Sequence, residues 1–397
     1  MSLPEELWTA EVGDSVLVIV PDATRTVPLP AVWAQVHAAL AGRVRRLSVV
    51  VALGTHRAMT EAELDAHFGI GPGGWDARYP GVARHNHAWW DPATFHELGV
   101  LDPARVADIS GGLLDEPIPV RLNRLAVEHD TVLIVGPVFP HEVVGFSGGA
   151  KYLFPGIGGT EMIDASHWLG ALIGIENVIG VLGVTPVRAL IHEAAALLPS
   201  RQLCLALVVA GRSTLHGAFF GTPQEAWARA AELSARTHIE YVGRPYRRVL
   251  SIVPPMYEDL WTAAKGCYKL DPVTADGGEI VLYAPHLRDL SVTHGAHIRE
   301  VGYHCRDYLL AHLGRLGAIP RAVLAHSAHV RGQGGYDPVH GERCRIAVTL
   351  ATALPAEACH AVGLGHRTVA DIDIDAWRED PDTLVVPRAG ERLYRLA

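Results

Sequence analysis

The chain begins with apolar runs separated by amphipathic stretches. Residues 16–20 (VLVIV) form a short continuous apolar run, the pattern of a strand buried on both faces of a parallel sheet. An Ala-rich amphipathic stretch over about residues 31–40 predicts a helix, and residues 47–53 (LSVVVAL) predict a second buried strand. Thr60 with Glu63 forms a capping-box pair that starts another helix. Residues 131–135 and 203–210 predict a third and a fourth strand. Thr222 and Glu225 form a second capping box, with Pro223 at the first helical position, opening a helix to about Ala235. A polar, Gly- and Pro-containing stretch over 241–248 reads as a linker. A second set of strands is then predicted at 249–253, 279–284, 322–325, 344–350 and 384–386.

This alternation implies the α/β class, in two domains that each hold a largely parallel sheet flanked by helices. The boundaries fall at residues 1–240 and 245–385, leaving a charged tail, 386–397, free to return to the first domain. In such sheets ligands bind beyond the carboxyl ends of the strands. Three predicted strands of the first domain run into Asp22-Ala23-Thr24-Arg25, Gly54-Thr55-His56-Arg57 and Pro140-His141. Asp22, Arg25, His56 and His141 are therefore expected to converge on one edge of that domain. The active site is expected in the cleft between the domains.

Composition narrows the function classes. A length of 397 residues suits two domains at roughly 150 residues each. Hydrophobic residues make up 49% and charged residues 19%, enough apolar material for sizeable cores and against global disorder. The net charge of −9 comes without a basic cluster, which argues against a nucleic-acid partner. No apolar run reaches the length of a membrane span. The first residues are acidic where a secretion signal would be basic and then apolar. Cys204, Cys267, Cys305, Cys344 and Cys359 include no CxxC pair, which disfavours a disulfide framework or a zinc ribbon and fits a cytoplasmic location.

Lysine usage is informative. Only Lys151, Lys265 and Lys269 occur among 34 basic residues. In an Arg-dominated chain, a retained lysine suggests a position that needs a deprotonatable amine or a compact ammonium rather than a mere positive charge. Each is weighed against an ordinary surface lysine. Of the 22 histidines, His37, His192 and His312 lie in helical patterns and read as structural. His85 and His87 lie in a polar loop, and His294 and His297 sit at helical spacing; these too read as structural. Residues 331–335 read as a flexible loop.

Residues 140–151 (PHEVVGFSGGAK) carry the densest chemistry. A phosphate loop would need Gly at Ala150 and Ser or Thr at Tyr152, and a zincin helix would need His at Gly145. Residues 145–149 match G-x-S-x-G, with Ser147 as a candidate nucleophile, but Pro155-Gly156 follows where a nucleophile elbow needs a long helix. A further reading uses Lys151, which follows two glycines that would let backbone approach a ligand. Sixteen residues on, a helical stretch presents His167, and imidazole suits Ni, Cu, Fe or Zn.

DATR, GTHR, His141 followed ten residues later by Lys151 in FSGGAK, and His167 after a PGI-containing segment resemble the nickel-pincer lactate racemase family in order and spacing. Ala263-Ala264-Lys265-Gly266 resembles the second-domain lysine motif of that family. The resemblance implies an isomerase, a 2-hydroxy-acid racemase or epimerase. Its cofactor would be a nickel pincer nucleotide joined covalently to Lys151, with His167 as the protein ligand of the metal. Reaction would proceed by reversible hydride transfer to that group, with His56 and His141 as the two acid/bases. Arg25 and Lys265 are similar to the cations that hold substrate oxygens, and Asp22 to an acid that orients His or Arg. The partners implied are a small 2-hydroxy acid and the cofactor-biosynthesis proteins that load the enzyme, with no nucleic acid and no membrane. Trp261-Thr262 replaces the Tyr-Gln pair of the lactate enzymes, so both are specificity candidates and lactate itself is in question. The competing classes are a serine hydrolase using Ser147 and a non-catalytic nucleotide-binding protein.

Overall fold

A computed structural model describes residues 3–211 and 214–397. The chain forms two compact units. The first comprises residues 1–139, 146–163 and 182–237; the second comprises 140–145, 164–181 and 238–397. Two short excursions of the N-terminal half, one of which carries His141 and the other His167, thus belong to the second unit.

The first unit holds a six-stranded sheet in the order Leu215–Gly221, Arg201–Val209, Thr131–Pro137, Ser15–Pro21, Arg46–Ala52, Ala83–Asn86. All neighbours run parallel except the Leu215–Gly221 edge strand. Val16, Leu17, Val18, Ile19 and Val20 are completely buried, which explains their unbroken apolar run. The chain moves from Ser15–Pro21 outward to Arg46–Ala52, and later returns on the other side with Thr131–Pro137. Strand order reverses there, and in open parallel sheets ligands bind at the carboxyl ends beside such a reversal. Both capping boxes form: Glu63 N–H donates to Thr60 Oγ1 at 3.2 Å, and Glu225 N–H donates to Thr222 Oγ1 at 3.3 Å.

The second unit holds a fully parallel five-stranded sheet in the order Gly365–His366, Ala347–Thr352, Thr274–Ala284, Tyr246–Ile252, Thr383–Pro387. The chain therefore has two parallel-dominated sheets flanked by helices. The tail strand Leu393–Leu396 pairs with Ile239–Val242 inside this unit.

Several local expectations differ from the structure. Residues 322–325 form no strand; they begin the helix Arg321–Arg331, in which every residue from Ala322 to Val330 is buried. A four-residue apolar run does not distinguish a strand from a buried helix, and here the apolar pattern continues beyond it. Residues 344–350 split between a hairpin strand, Gly341–Cys344, and a sheet strand, Ala347–Thr352. Five of the eight residues 241–248 are strand, because Ile239–Val242 and Tyr246–Ile252 leave only three residues between them. His85 and Asn86 end the edge strand Ala83–Asn86 rather than lying in a loop. Within the 331–335 loop, Gly334 opens a strand, Gly334–Asp337, that pairs with Gly341–Cys344.

Candidate functional site

In the first unit, Pro21 and Ala52 are register partners, so the turns that follow start side by side. Asp22 Oδ1 accepts from the Thr24 N–H at 3.1 Å and from the Thr24 hydroxyl at 2.7 Å, closing the first turn. Arg25 Nη1 donates to Thr24 O and Thr24 Oγ1, each at 3.3 Å, so its guanidinium is held by the same turn. In the second turn Gly54 has φ +57°, with open space where a Cβ would sit. Glycine is there for its backbone conformation, not for close packing. His56 N–H then donates to Leu53 O at 2.9 Å, and His56 Nδ1 lies 2.5 Å from Asp22 Oδ2.

Asp22 is buried, and burial alone would push its carboxyl up. The charge and hydrogen bond of His56, joined by Arg25 and Thr24, outweigh this and hold it well below the usual carboxylate range. Asp22 is therefore an ionised acceptor that fixes the ring of His56. With Nδ1–H directed at Asp22, the lone pair of the neutral imidazole sits on Nε2.

The glycine-rich segment is a rigid platform. Gly148 and Gly149 have φ +85° and +59°, and a Cβ on them would lie 2.6 Å from Val138 Cγ2 and 2.9 Å from Trp227 Cβ. The two glycines thus serve close packing of the protein on itself, where the sequence suggested close approach to a ligand. Buried Arg188 donates to Phe146 O, and to Gly148 O at 3.4 Å, with its guanidinium 3.8 Å from the Trp227 ring centroid. Lys151 stands half-buried on the 3₁₀ turn Gly149–Tyr152 above this support. Ser147 is buried, and its Oγ accepts from Phe139 N–H at 2.9 Å and donates to Pro137 O at 3.5 Å. Its hydroxyl ties two backbone segments together and does not sit against a histidine base among the described residues.

In the second unit, Val143 N–H lies 3.1 Å from His141 Nδ1 and donates to it in the tautomer that carries its proton on Nε2. Glu142 Oε2 lies 3.4 Å from the same Nδ1 and has no hydrogen-bond partner of its own, so in the other tautomer, or in the protonated ring, the Nδ1 proton faces this carboxylate. Glu142 Oε1 accepts from Tyr268 Oη at 3.0 Å. Burial acts to raise the Glu142 carboxyl, yet the positive field of His141, Lys265 and Lys269 holds it well below its ordinary value. Lys265 and Lys269 are both buried, so neither is a surface lysine. Lys265 Nζ donates to Thr262 O at 3.3 Å and sits 5.4 Å from the Tyr257 ring centroid.

Asp259 caps the short helix Leu260–Ala263, accepting from Thr262 N–H at 3.0 Å and Thr262 Oγ1 at 2.8 Å. Thr262 is buried and its hydroxyl is engaged in this cap. Trp261 lies between two imidazoles, His294 at 4.4 Å and His326 at 4.3 Å between ring centroids. His326 Nε2 is 3.3 Å from Tyr303 Oη. Burial, reinforced by the positive field of His329, Lys265 and His294, holds His326 neutral, well below the usual histidine value. His167 is half-buried on the helix Thr160–Ile173, with Nδ1 3.3 Å from Ser166 Oγ.

Sequence reasoning did not single out Glu142, Tyr268, Tyr303 or His326. Glu142 is adjacent to His141, and Tyr268 follows Lys265 at helical spacing, so both carried a local signal. Tyr303 and His326 carried none, because only the tertiary fold brings them against Trp261.

The donor set suits the group that the family resemblance implies. Lys151 supplies an amine on a fixed turn. His167 supplies an imidazole, and when its Nδ1–H donates to Ser166 the Nε2 lone pair is left for a metal, the arrangement a ligating histidine needs.

Residues 5–71 and 102–178 match the lactate racemase N-terminal domain. The chain is 26% identical over 282 residues to a lactate racemase from Thermoanaerobacterium thermosaccharolyticum, spanning 69% of this chain and 61% of that protein. Among solved structures it is similar to a protein from Thermotoga maritima, at 33% identity and a TM-score of 0.91 over 99% of this chain and 97% of that one. It also shares the fold of the lactate racemase apoprotein from T. thermosaccharolyticum, at 19% identity and a TM-score of 0.72 over 98% of this chain and 88% of that one. Residues 5–71 and 102–178 thus belong to the lactate racemase N-terminal domain family, and the chain as a whole has the fold of the lactate racemase apoprotein.

Proposed function

We propose that this protein is a racemase or epimerase of a 2-hydroxy acid, working with a nickel pincer nucleotide attached to Lys151 and ligated through His167. The observation that carries the reading is the Asp22–His56 pair, an oriented base at the carboxyl ends of two neighbouring strands. When bound, the nickel pincer nucleotide supplies a reversible acceptor for the hydrogen and electron pair at the substrate Cα.

The remaining work falls to the side chains. His56 Nε2 takes the hydroxyl proton of the substrate and returns it, imidazole being the side chain suited to exchanging protons near neutrality. Asp22 keeps the ring in the tautomer that makes this possible. His141 serves the opposite enantiomer, which a symmetric reaction requires. Arg25 binds the carboxylate through its planar fork, and Lys265 supplies a compact ammonium to a second substrate oxygen. Trp261, braced by His294 and His326, and Thr262 set which side chain the substrate carries.

The test is to produce the chain together with cofactor-biosynthesis proteins and to measure intact mass and nickel content. A nucleotide-sized adduct on Lys151, nickel in the protein, and loss of optical rotation with single-enantiomer 2-hydroxy acids are expected. An adduct-free chain from cells that load a known member of the family, with no racemisation of any acid tried, would reject the proposal. The chain spans 61% of the length of the curated relative it matches.

A further inference from the structure

Cys305, Glu342 and Cys344 lie far apart in sequence, and none has a role in the chemistry above. In the second unit one sulfur from each cysteine and one carboxylate oxygen all fall within 4.8 Å of one another. We infer that these three side chains form a zinc site that the proposed racemase chemistry does not use.

The local structure explains why they meet. Glu342 and Cys344 are two residues apart on the strand Gly341–Cys344, so they face the same way. Cys305 stands immediately before the helix Arg306–Ala311. Gly334, the register partner of Cys344, lies between the two cysteines. A Cβ on it would fall 3.0 Å from Cys305 Cβ and 3.1 Å from Cys344 Cα. The missing side chain at 334 is what allows the thiols to approach each other.

The carboxylate is already positioned. Glu342 Oε2 lies 2.8 Å from His304 Nδ1, and Oε1 accepts from the Cys305 N–H and, at 3.6 Å, from the Cys344 thiol. The His304 ring stacks on Tyr308 at 3.8 Å between centroids. Carboxylates that bind metals are themselves held by hydrogen bonds, and His304 supplies one here. Bonds of about 2.3 Å to sulfur and about 2.0–2.2 Å to oxygen place tetrahedral ligand atoms about 3.5–4 Å apart, a modest contraction of the cluster. Two thiolates and a carboxylate match zinc rather than magnesium or calcium, and solvent completes the fourth position. Binding exchanges one Zn²⁺ for the two thiol protons, which pass to water, with no change of oxidation state. A bare cysteine pair poised for a disulfide would have no use for the oriented carboxylate.

The experiment uses the full-length chain held in a phosphine reductant, titrated with Co²⁺ and then with Zn²⁺. A thiolate-to-cobalt charge-transfer band, saturating at one Co²⁺ per chain and displaced by Zn²⁺, is expected. Cys305→Ser and Cys344→Ser should each abolish or strongly diminish the band. Glu342→Gln should weaken zinc binding, and His304→Ala should weaken it about 10-fold or more. Absence of the band in the reduced wild-type chain overturns the inference, as does a band that survives in both serine variants. The wild-type spectrum decides the matter even where a serine variant folds poorly. Among the described residues, no other cysteine lies in a cluster of three metal-ligating groups.

Discussion

Asp22 Oδ2 lies 2.5 Å from His56 Nδ1, joining the ends of two adjacent parallel strands. If this contact sets the working tautomer of His56, Asp22→Asn should be far more damaging than its small change in shape. The amide offers its NH₂ to Nδ1, which moves the ring proton to Nε2 and removes the base. Steady-state racemisation by the loaded enzyme should show kcat lower by about 10²–10⁴-fold with KM little changed. His56→Ala should fall in the same range, and the double variant should be little worse than either single one. Additive losses would separate the two residues.

His87 gives a stability prediction independent of the proposed chemistry. It is completely buried, with Nε2 3.3 Å from Gly158 O and Nδ1 3.1 Å from Asn123 Nδ2. Burial lowers its pKa from 6.5 to about 4, against a smaller opposing effect of the Gly158 carbonyl. Above pH 6.5 the ring is neutral whether folded or unfolded, and its contribution is complete. As pH falls from 6.5 towards 4 the unfolded chain takes up a proton that the folded chain refuses, and stability is lost across that window. At about 1.4 kcal/mol per pKa unit the total is about 3 kcal/mol. Urea unfolding of His87→Gln, which keeps one donor and one acceptor, should show a shallower loss over this range. An identical pH dependence would refute the assignment.

Ser147→Ala separates a structural hydroxyl from a nucleophile. The hydroxyl bridges Phe139 N–H and Pro137 O, so its loss should cost about 1–3 kcal/mol of stability by leaving a buried donor unpaired. Racemisation below the new melting temperature should persist, and the wild-type protein should resist fluorophosphonate labelling. Labelling at Ser147 would revive the hydrolase reading.

Glu142→Gln should destabilise the second unit by about 3 kcal/mol in calorimetry. It preserves an acceptor for Tyr268 but removes the negative charge that faces His141 and the buried Lys265 and Lys269, leaving buried cations uncompensated. Lys269→Met should partly restore stability to Glu142→Gln, and failure of that rescue would show that charge balance is not the cause.

The parallel strands and both capping boxes were legible because each is written in contiguous residues. The placement of Asp22, Arg25 and His56 at strand ends was legible for the same reason, since a buried apolar run that stops at a polar turn marks a carboxyl end. Residues 322–325 were misread because burial on all sides erases helical periodicity. The purpose of Gly148 and Gly149 was also hidden, since nothing local says that Val138 and Trp227 occupy the space beside them. The brace around Trp261 was out of reach because its two imidazoles lie 33 and 65 positions downstream.

The two compact units are interwoven along the chain, since 140–145 and 164–181 join partners far downstream. Glu142 meets Tyr268 across 126 positions, Asp164 meets Ala322 across 158, and Ile179 meets Arg395 across 216. A fragment that begins near residue 238 therefore lacks pieces of its own interior, and expressing either half alone should yield aggregation-prone material. During synthesis the second unit stays incomplete until Leu393–Leu396 has been made, so its maturation waits on that strand rather than following the order in which its parts appear.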